Sequence, residues 1–304
     1  MPPRALKRAI ETLLAHGGPS ALAARRRATS TLILAYHNIV PDEAPPIGEF
    51  MLHLPLSRFR AQLDYLQTTH QVVDLANIRD AIGSGTRPRA AITFDDAYKG
   101  ALSLGLPELA ARGMPATMFV APRILGSTGC WWDMLASPDG SGLSRALRDQ
   151  AIEALQGKSD AIFEWARSQG IVLPALPSFA SIATEDELLE AARTYGIRLA
   201  PHSWTHCNLA YLTAENHRLE LETPLLWLRE RFERVLPWLA YPYGLFAPGT
   251  ALAARTAGYV GALKIDGGWI HRPTLSSFVL PRFNVNADLT ADGFILRASG
   301  LIAP

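Results

Sequence analysis

Short apolar runs alternate with segments of helical periodicity along most of the chain. The runs are rich in β-branched and aromatic residues, which favour strands, and the segments between them carry apolar residues three and four positions apart, which favours helices. The predicted strands lie within TLILAYHNIV (31–40), HQVVD (70–74), RAAITFDDAY (89–98), PATMFVAP (115–122), GIRLAPHSWTH (196–206), LPWLAYPYG (236–244), GYVGALKI (258–265) and FVLPRFNVN (278–286). This alternation predicts an α/β fold with a mostly parallel sheet, closed or open.

Two segments depart from this rhythm. Residues 1–30 are predicted as an N-terminal helix followed by a basic linker, and residues 31–304 as one domain. Within that domain, residues from about 126 to 190 are helical in pattern, with a break near residue 140, and are interpreted as a helical insertion. One face of the N-terminal helix is expected to pack against the domain. That face comprises Leu6, Ala9, Ile10, Leu13 and Leu14.

The charge balance limits the partners that the chain can be expected to bind. Its 29 Lys and Arg residues against 28 Asp and Glu residues give no electrostatic reason to expect a nucleic acid. The cluster Arg25, Arg26 and Arg27 is local and is typical of a solvated linker, although it leaves a peripheral contact with a membrane surface open. Nothing in the pattern indicates an oligomeric state.

Cysteine content and hydropathy predict the compartment. Only Cys130 and Cys207 are present, too few for a disulfide framework and consistent with a reducing environment. No apolar run approaches the roughly 20 residues that span a bilayer, and the N-terminus interleaves charges with its apolar residues, unlike a signal peptide. A cytoplasmic location, without a transmembrane segment but with membrane association left open, is therefore expected.

Two adjacent carboxylates, Asp95 and Asp96, follow the apolar run of residues 89–94. Successive side chains of an extended segment point to opposite faces, so that the two acids can serve different purposes. A strand that ends in polar residues, with Asp96 capping the next helix, is the alternative interpretation. The pair indicates a catalytic or metal-binding role only if other side chains able to take part in that role are its partners.

Those partners are His202 and His206, four residues apart at the end of another predicted strand. A helical turn of four residues would bring both imidazoles onto one face, close enough to bind one ion. Two imidazoles and a carboxylate leave coordination positions open on a zinc-type ion. Asp96 can be that carboxylate, and Asp95, beside the metal but not bound to it, can act as the general base.

These segments resemble the polysaccharide deacetylase family, also called the NodB homology family or carbohydrate esterase family 4. TFDD (93–96) and HSWTH (202–206) are similar to its first two motifs, in the usual order. The resemblance covers about residues 31–285 and implies a distorted (β/α)7-type barrel. It also implies Asp95 as the base, with Asp96, His202 and His206 holding a divalent metal, usually Zn2+, with Co2+, Ni2+ or Mn2+ as alternatives.

A third segment, LAYPYG (239–244), resembles the family motif in its Tyr-Pro-Tyr-Gly form. The resemblance implies that the backbone N–H of Tyr243 helps to bind the oxyanion and that the rings of Tyr241 and Tyr243 shape a sugar groove. A proline-rich turn with packed tyrosines is the alternative.

The chain departs from the common family pattern at two places. The third motif lacks the arginine that braces the base, and Arg282 in LPRFNV is the best substitute, although a surface arginine at a strand end is the alternative. The late Leu-x-His motif is missing as well. LAYHNI (34–39) resembles the opening segment of the exopolysaccharide deacetylase branch, which implies that His37 is the acid that protonates the leaving amine; an ordinary structural histidine is the alternative.

Two tryptophans, Trp131 and Trp132, follow the predicted strand at 115–122. A flat indole ring, above all that of Trp132, could stack on a pyranose, although core packing is the common role of tryptophan. Together these features predict a metal-dependent N-deacetylase that acts on an N-acetylated amino sugar in a glycan, a glycolipid or a saccharide precursor. A metal-dependent amide hydrolase for a non-saccharide small molecule and a non-catalytic glycan-binding domain are the alternatives.

Overall fold

The computed structural model describes residues 4–78, 86–211, 213–271 and 277–303. Its strands are β1 (Thr31–Tyr36), β2 (Asn38–Val40), β3 (His53–Pro55), β4 (Gln71–Val72), β5 (Arg89–Asp95), β6 (Ala116–Val120), β7 (Arg198–Pro201), β8 (Trp238–Ala240), β9 (Gly261–Leu263) and β10 (Phe283–Asn284). Its α-helices are α1 (Arg4–His16), α2 (Pro19–Arg26), α3 (Leu56–Thr69), α4 (Leu106–Ala111), α5 (Trp131–Met134), α6 (Arg145–Asp149), α7 (Ser159–Ser168), α8 (Glu185–Tyr195), α9 (Ala214–His217), α10 (Thr223–Arg231), α11 (Pro248–Thr256) and α12 (Ala291–Ala298).

Seven parallel strands form a barrel. Five of them are hydrogen-bonded in the order β10, β1, β5, β6, β7, and β8 pairs with β9. Parallel bridges between Leu199 and Val235 and between Leu263 and Leu280 join the two groups at both sides. The structure therefore confirms the predicted α/β class and its parallel, barrel-like sheet. In addition, β4 pairs with the first residues of β5, and β2 and β3 form a separate two-stranded parallel sheet.

Alternate residues of the strands divide between the barrel interior and the helices outside. The interior is filled by small and branched side chains, including Ile33, Ala91, Ala200 and Leu263 together with Phe119. The residues between them pack against helices in a second, larger cluster. This alternation determines which side chains reach the barrel mouth, because the inward series continues past the last interior layer to the carboxyl ends of the strands.

The segment between β6 and β7 is helical, as the sequence pattern predicts: it contains α5, α6, α7 and α8. The segment predicted as a basic linker is instead mostly helical, because α2 extends to Arg26. Ala24 of α2 is buried, and Arg27 interacts with the ring of His271. These contacts hold α2 against the domain.

The predicted orientation of the N-terminal helix is wrong. Leu6, Ile10 and Leu13 of α1 are exposed, as is Ala9, and only Leu14 of the predicted apolar face is half-buried. The helix packs on α12 through its other side, where Ala15 is buried. There Thr12 Oγ1 donates to a carboxylate oxygen of Asp292 at 2.6 Å, and His16 Nε2 lies 2.9 Å from the other oxygen. These polar contacts set the rotation of the helix and turn its apolar side outward.

None of the helices in the described ranges is both long and apolar enough to cross a bilayer. Cys130 and Cys207 are free thiols and both are buried. The cytoplasmic location remains a prediction from composition.

Candidate active site

The inward alternation of four strands brings polar side chains together at the barrel mouth. Continuing the interior series leads from Ile33 to His37, from Ala91 to Asp95, from Ala200 to His202 and from Leu280 to Arg282. All four of these polar residues line one cavity of about 390 Å³. The carboxyl ends of parallel strands lie at the same end of the barrel, which is where α/β barrels carry their sites.

Asp95 is buried and held by Arg282. The guanidinium donates two hydrogen bonds of 2.7 Å, one to each carboxylate oxygen, and both side chains are almost fully shielded from solvent. Burial alone would raise the pKa of Asp95, but Arg282 and His202 lower it by more, so that the net pKa lies below its ordinary value. Asp95 is therefore ionised at neutral pH. Arg282 precedes β10, which pairs with β1 rather than with β5, and its side chain reaches across the interior to Asp95.

Asp96 belongs to a three-residue group that could hold a metal ion. One ligand atom each from Asp96, His202 and His206 lies within 4.8 Å of the others. Asp96 Oδ1 is 3.1 Å from His206 Nε2 and 3.7 Å from His202 Nε2, yet this buried oxygen accepts no hydrogen bond within the described residues. Asp96 has a left-handed backbone (φ 71°) and does not cap the helical turn that follows. An orphaned buried carboxylate oxygen between two imidazoles fits a divalent cation of the zinc type.

Both imidazoles are oriented with Nε2 toward Asp96. His202 Nδ1 lies 2.8 Å from the carbonyl oxygen of Ala240 and donates to it, which leaves Nε2 free as a ligand atom. His206 Nδ1 lies 3.2 Å from the hydroxyl of Tyr243. The carbonyl partner determines the tautomer of His202 before any metal binds, whereas the Tyr243 hydroxyl can donate to His206 or accept from it.

The two histidines do not lie on a helix, contrary to the geometry expected from their spacing. The chain after β7 forms an irregular turn in which Ser203 and His206 both have φ 61°. Left-handed backbone costs a non-glycine residue about 1–3 kcal/mol and is common at functional sites. Within the described residues, five of the six non-glycine residues with positive φ lie in these site segments: Asp96, Ala97, Ser203, His206 and Tyr243.

Glu220 holds this turn in place, and the sequence carries no signal for it. One of its carboxylate oxygens accepts the backbone N–H groups of Trp204 and Thr205, each at 2.9 Å. The other accepts the hydroxyl of Thr205 at 2.8 Å. Glu220 is buried, and it accepts hydrogen bonds from two residues that lie between His202 and His206 in the sequence. We therefore interpret it as a positioning residue for His206.

Glu220→Ala is expected to weaken zinc binding by about 10–100-fold, because loss of a group that orients metal ligands has effects of this size. Two backbone N–H groups and a hydroxyl would be left without a partner, and the turn could relax from its strained conformation. Isothermal titration calorimetry with zinc measures the effect. Glu222→Ala, at an exposed ion pair with Arg218 two positions along the chain, is the matched control. Lower thermal stability with unchanged zinc affinity would limit Glu220 to a structural role.

The Pro-Tyr-Gly turn after β8 closes one side of the site. Tyr243 has φ 58°, and its backbone N–H stands at the start of a short 3₁₀ turn, where it has no partner within the turn. Its hydroxyl accepts a hydrogen bond from Trp131 Nε1 at 3.0 Å. Tyr241 borders the cavity, but its hydroxyl donates to the carbonyl of Phe278 and its ring stacks on Phe246. The ring of Tyr241 therefore supports the turn.

The helical insertion forms a wall of the cavity. Trp131 and Trp132 line it, and the Trp132 ring lies 4.8 Å from the His206 ring between centroids. Trp132 Nε1 donates to the Tyr98 hydroxyl, which donates in turn to buried Asp133. Trp132 is thus 5% exposed and packs against the candidate metal ligand His206.

Further residues at the cavity were not anticipated from sequence. Arg148 of α6 forms a 2.6 Å ion pair with Glu49, and both line the same cavity as Asp95.

His37 lies with Nε2 4.0 Å from Asp95 Oδ2. Burial lowers the pKa of His37, although Asp95 and Asp96 oppose that change. That His37 protonates the leaving amine, as the resemblance implies, stays a prediction.

The fold and the site together describe an α/β barrel with a buried carboxylate and imidazole group at its carboxyl end. The sequence model of the polysaccharide deacetylase family matches residues 83–262. This match spans more than half of the chain, and the chain belongs to the polysaccharide deacetylase family. The family prediction made from the TFDD and HSWTH motifs is confirmed.

Solved structures show the same fold at low sequence identity. The deacetylase PplD from Streptococcus pyogenes, in complex with acetate, has a TM-score of 0.60 and 14% identity, with 88% of this chain and 97% of that chain covered. IcaB from Ammonifex degensii has a TM-score of 0.60 and 18% identity, covering 90% and 98%. The BpsB deacetylase domain from Bordetella bronchiseptica has a TM-score of 0.53 and 17% identity, covering 84% and 96%. No curated protein sequence matches this chain.

Proposed function

We propose that this protein is a metal-dependent N-deacetylase that removes acetyl groups from an N-acetylated amino sugar in a glycan, a glycolipid or a saccharide precursor. The observation that carries the proposal is the pairing of two different carboxylates at one cavity. Asp95 is ionised and held by Arg282. Asp96 has a buried carboxylate oxygen that accepts no hydrogen bond within the described residues, and this oxygen lies close to the imidazoles of His202 and His206. Family membership supports a carbohydrate deacetylase, and this arrangement supports the metal-dependent reaction.

A divalent ion held by Asp96, His202 and His206 would supply Lewis acidity, which polarises an amide carbonyl and lowers the pKa of water. Asp95 is the proton acceptor in this proposal. Arg282 donates one bond to each of its oxygens, and each oxygen has a second lone pair for a further proton. Because Arg282 keeps both oxygens in place, the carboxylate is oriented before substrate binds.

Two further groups complete the proposed reaction. The backbone N–H of Tyr243 donates to the oxygen of the amide carbonyl as negative charge develops there. His37 delivers a proton to the departing nitrogen, so that the C–N bond breaks to give a free amine and acetate. His37 Nε2 lies 4.0 Å from Asp95 Oδ2, so that the proton which Asp95 takes from water can pass to His37 and from there to the departing nitrogen.

The shape of the cavity supports a substrate longer than one sugar. A second cavity, of about 740 Å³, shares Ile265, Asn284 and Asn286 with the first. Its wall is polar and includes Asp288 and residues of α1 and α12. Asn284 Oδ1 is buried and accepts no hydrogen bond within the described part of the chain. Unpaired amide oxygens and exposed polar side chains suit the hydroxyl groups of a saccharide.

The test is acetate release from N-acetylhexosamine substrates of increasing length, together with N-acetyl amides that are not sugars. We expect release from the sugars, its loss on treatment with a chelator and its recovery on addition of zinc, with cobalt, nickel and manganese compared. Binding of saccharides without acetate release would favour the glycan-binding alternative. Preference for the non-sugar amides would favour the small-molecule amide hydrolase.

The preference for a longer saccharide is tested in the same assay with the variant Asp288→Trp, which places a large ring in the second cavity. We expect kcat/KM for a tetrasaccharide to fall by about tenfold, equivalent to about 1.4 kcal/mol or one to two hydrogen bonds. The value for a monosaccharide should change little. Glu164→Trp, at an exposed position of α7, is the control. An equal loss at both lengths would show general damage and remove the argument for an extended groove.

A further inference from the structure

The outward face of α1 is an unexplained apolar surface. Leu6, Ile10 and Leu13 are 51%, 46% and 68% exposed. They are spaced four and three residues apart, so that they form one stripe along the helix. The contacts of Thr12 and His16 with Asp292 lie on the other side and prevent the helix from turning this stripe inward.

The same segment is strongly basic. Residues 4–27 contain six basic residues and one acidic residue, which is a net charge of 6 − 1 = +5, whereas the whole chain has a net charge of +1. The basic residues are Arg4, Lys7, Arg8, Arg25, Arg26 and Arg27, and the acidic one is Glu11. The positive charge is therefore concentrated in the segment that carries the apolar stripe, although Arg8 itself lines the second cavity.

The second helix repeats this combination. Leu22 of α2 is 52% exposed, and Arg25 and Arg26, three and four positions further on, are exposed as well. Residues at these spacings share a helix face. Arg27, in contrast, is engaged with His271 and the Trp269 ring and serves the fold.

We propose that the segment 4–27, the basic helical pair, docks on the surface of an anionic lipid bilayer. Apolar side chains enter the boundary between headgroups and acyl chains, and the arginines contact headgroup phosphates. A second copy of this chain is less suited to this surface, because two segments that each carry a net charge of +5 would repel each other. A bilayer with negative headgroups satisfies both properties of the surface at once. The proposal is independent of the catalytic reaction.

Co-sedimentation of the full chain with vesicles tests the proposal. Wild-type protein should bind vesicles of phosphatidylcholine with phosphatidylglycerol, should bind phosphatidylcholine alone much less, and should dissociate as salt is raised. The triple variant Leu6→Ser, Ile10→Ser, Leu13→Ser should partition at least about tenfold less onto the mixed vesicles, since affinity scales with the apolar area inserted. Arg25→Glu with Arg26→Glu should remove the preference for the anionic lipid.

The matched control is the triple variant Val172→Ser, Leu226→Ser, Leu252→Ser, which removes three other exposed apolar side chains, 89%, 57% and 67% exposed. It should bind as wild type does. The proposal is overturned if the wild-type protein does not bind anionic vesicles, or if both triple variants lose binding equally. It is also overturned if light scattering shows a dimer that only the α1 variant loses, because the face is then an interface between copies. Acetate release from a soluble substrate should be unchanged in every variant, which separates this result from the proposed activity.

Discussion

Asp95→Asn is expected to reduce acetate release by about 10²–10⁴-fold, the range that a positioned general base contributes. Asparagine has nearly the shape of aspartate but cannot take a proton from water at neutral pH. Zinc affinity should stay near that of the wild-type protein, because the proposed ligands are Asp96, His202 and His206. Single-turnover assays and zinc titration on the same preparation measure both quantities.

Asp96→Asn is the control that separates the two carboxylates. It should lose zinc affinity and activity together, because Asp96 offers the oxygen that lies between the imidazoles. If Asp95→Asn also lost zinc in proportion to activity, Asp95 would be a ligand rather than the base. If Asp95→Asn retained full activity, the base would have to be another residue of the cavity.

Arg282→Met is expected to give the largest loss of stability, about 3–5 kcal/mol in the free energy of unfolding. Arg282 is completely buried, and its removal leaves the charge of Asp95 in the interior without its partner. Methionine occupies part of the same space, so that the loss of charge pairing dominates over the loss of volume. Urea denaturation followed by circular dichroism gives the free energy.

The double variant Asp95→Asn, Arg282→Met distinguishes charge pairing from packing. Each single change leaves one buried charge alone, whereas the double change leaves none, so that its loss of stability should be smaller than the sum of the two. Additive losses would argue against a coupled pair. Arg60→Met, which breaks an exposed ion pair with Glu108, is the control and should change stability far less.

The helical insertion forms one wall of the candidate site. Trp131, Trp132 and Ile152 line the cavity, and Arg148 approaches it through its ion pair with Glu49. These residues come from helices that the barrel itself does not require. The insertion thus sets the shape of one wall, while the strand ends carry Asp95, His202 and the other proposed reactive groups, as is usual in α/β barrels.

Much of the site follows from local sequence. Asp95 and Asp96 are adjacent at the end of a buried strand, and His202 follows another, so that parallel pairing places them at one end of the barrel. The motif resemblance then identified the family, which the family match confirms. The roles of the individual residues remain proposals, and the variants above test those of Asp95, Asp96, Arg282 and Glu220.

Other features could not be read from the chain because they depend on contacts between distant residues. Glu220 is an ordinary helical glutamate in sequence, and only the folded chain brings it under the turn at Trp204 and Thr205. The helical spacing of His202 and His206 suggested a helix, whereas left-handed residues build the turn. Arg282 pairs with a residue 187 positions away, across an intervening strand.

The order of residues alone was enough to predict an α/β chain, its strand segments, its helical insertion and the position of Asp95, Asp96, His202 and His206 at two strand ends, because alternation and strand-end position are local properties. The orientation of α1 was decided only in three dimensions. Its amphipathic pattern predicted an inward apolar face, but Asp292, far along the chain, binds the opposite side through Thr12 and His16. A helix buries the face for which the fold offers specific partners, and those partners are not visible in the helix itself.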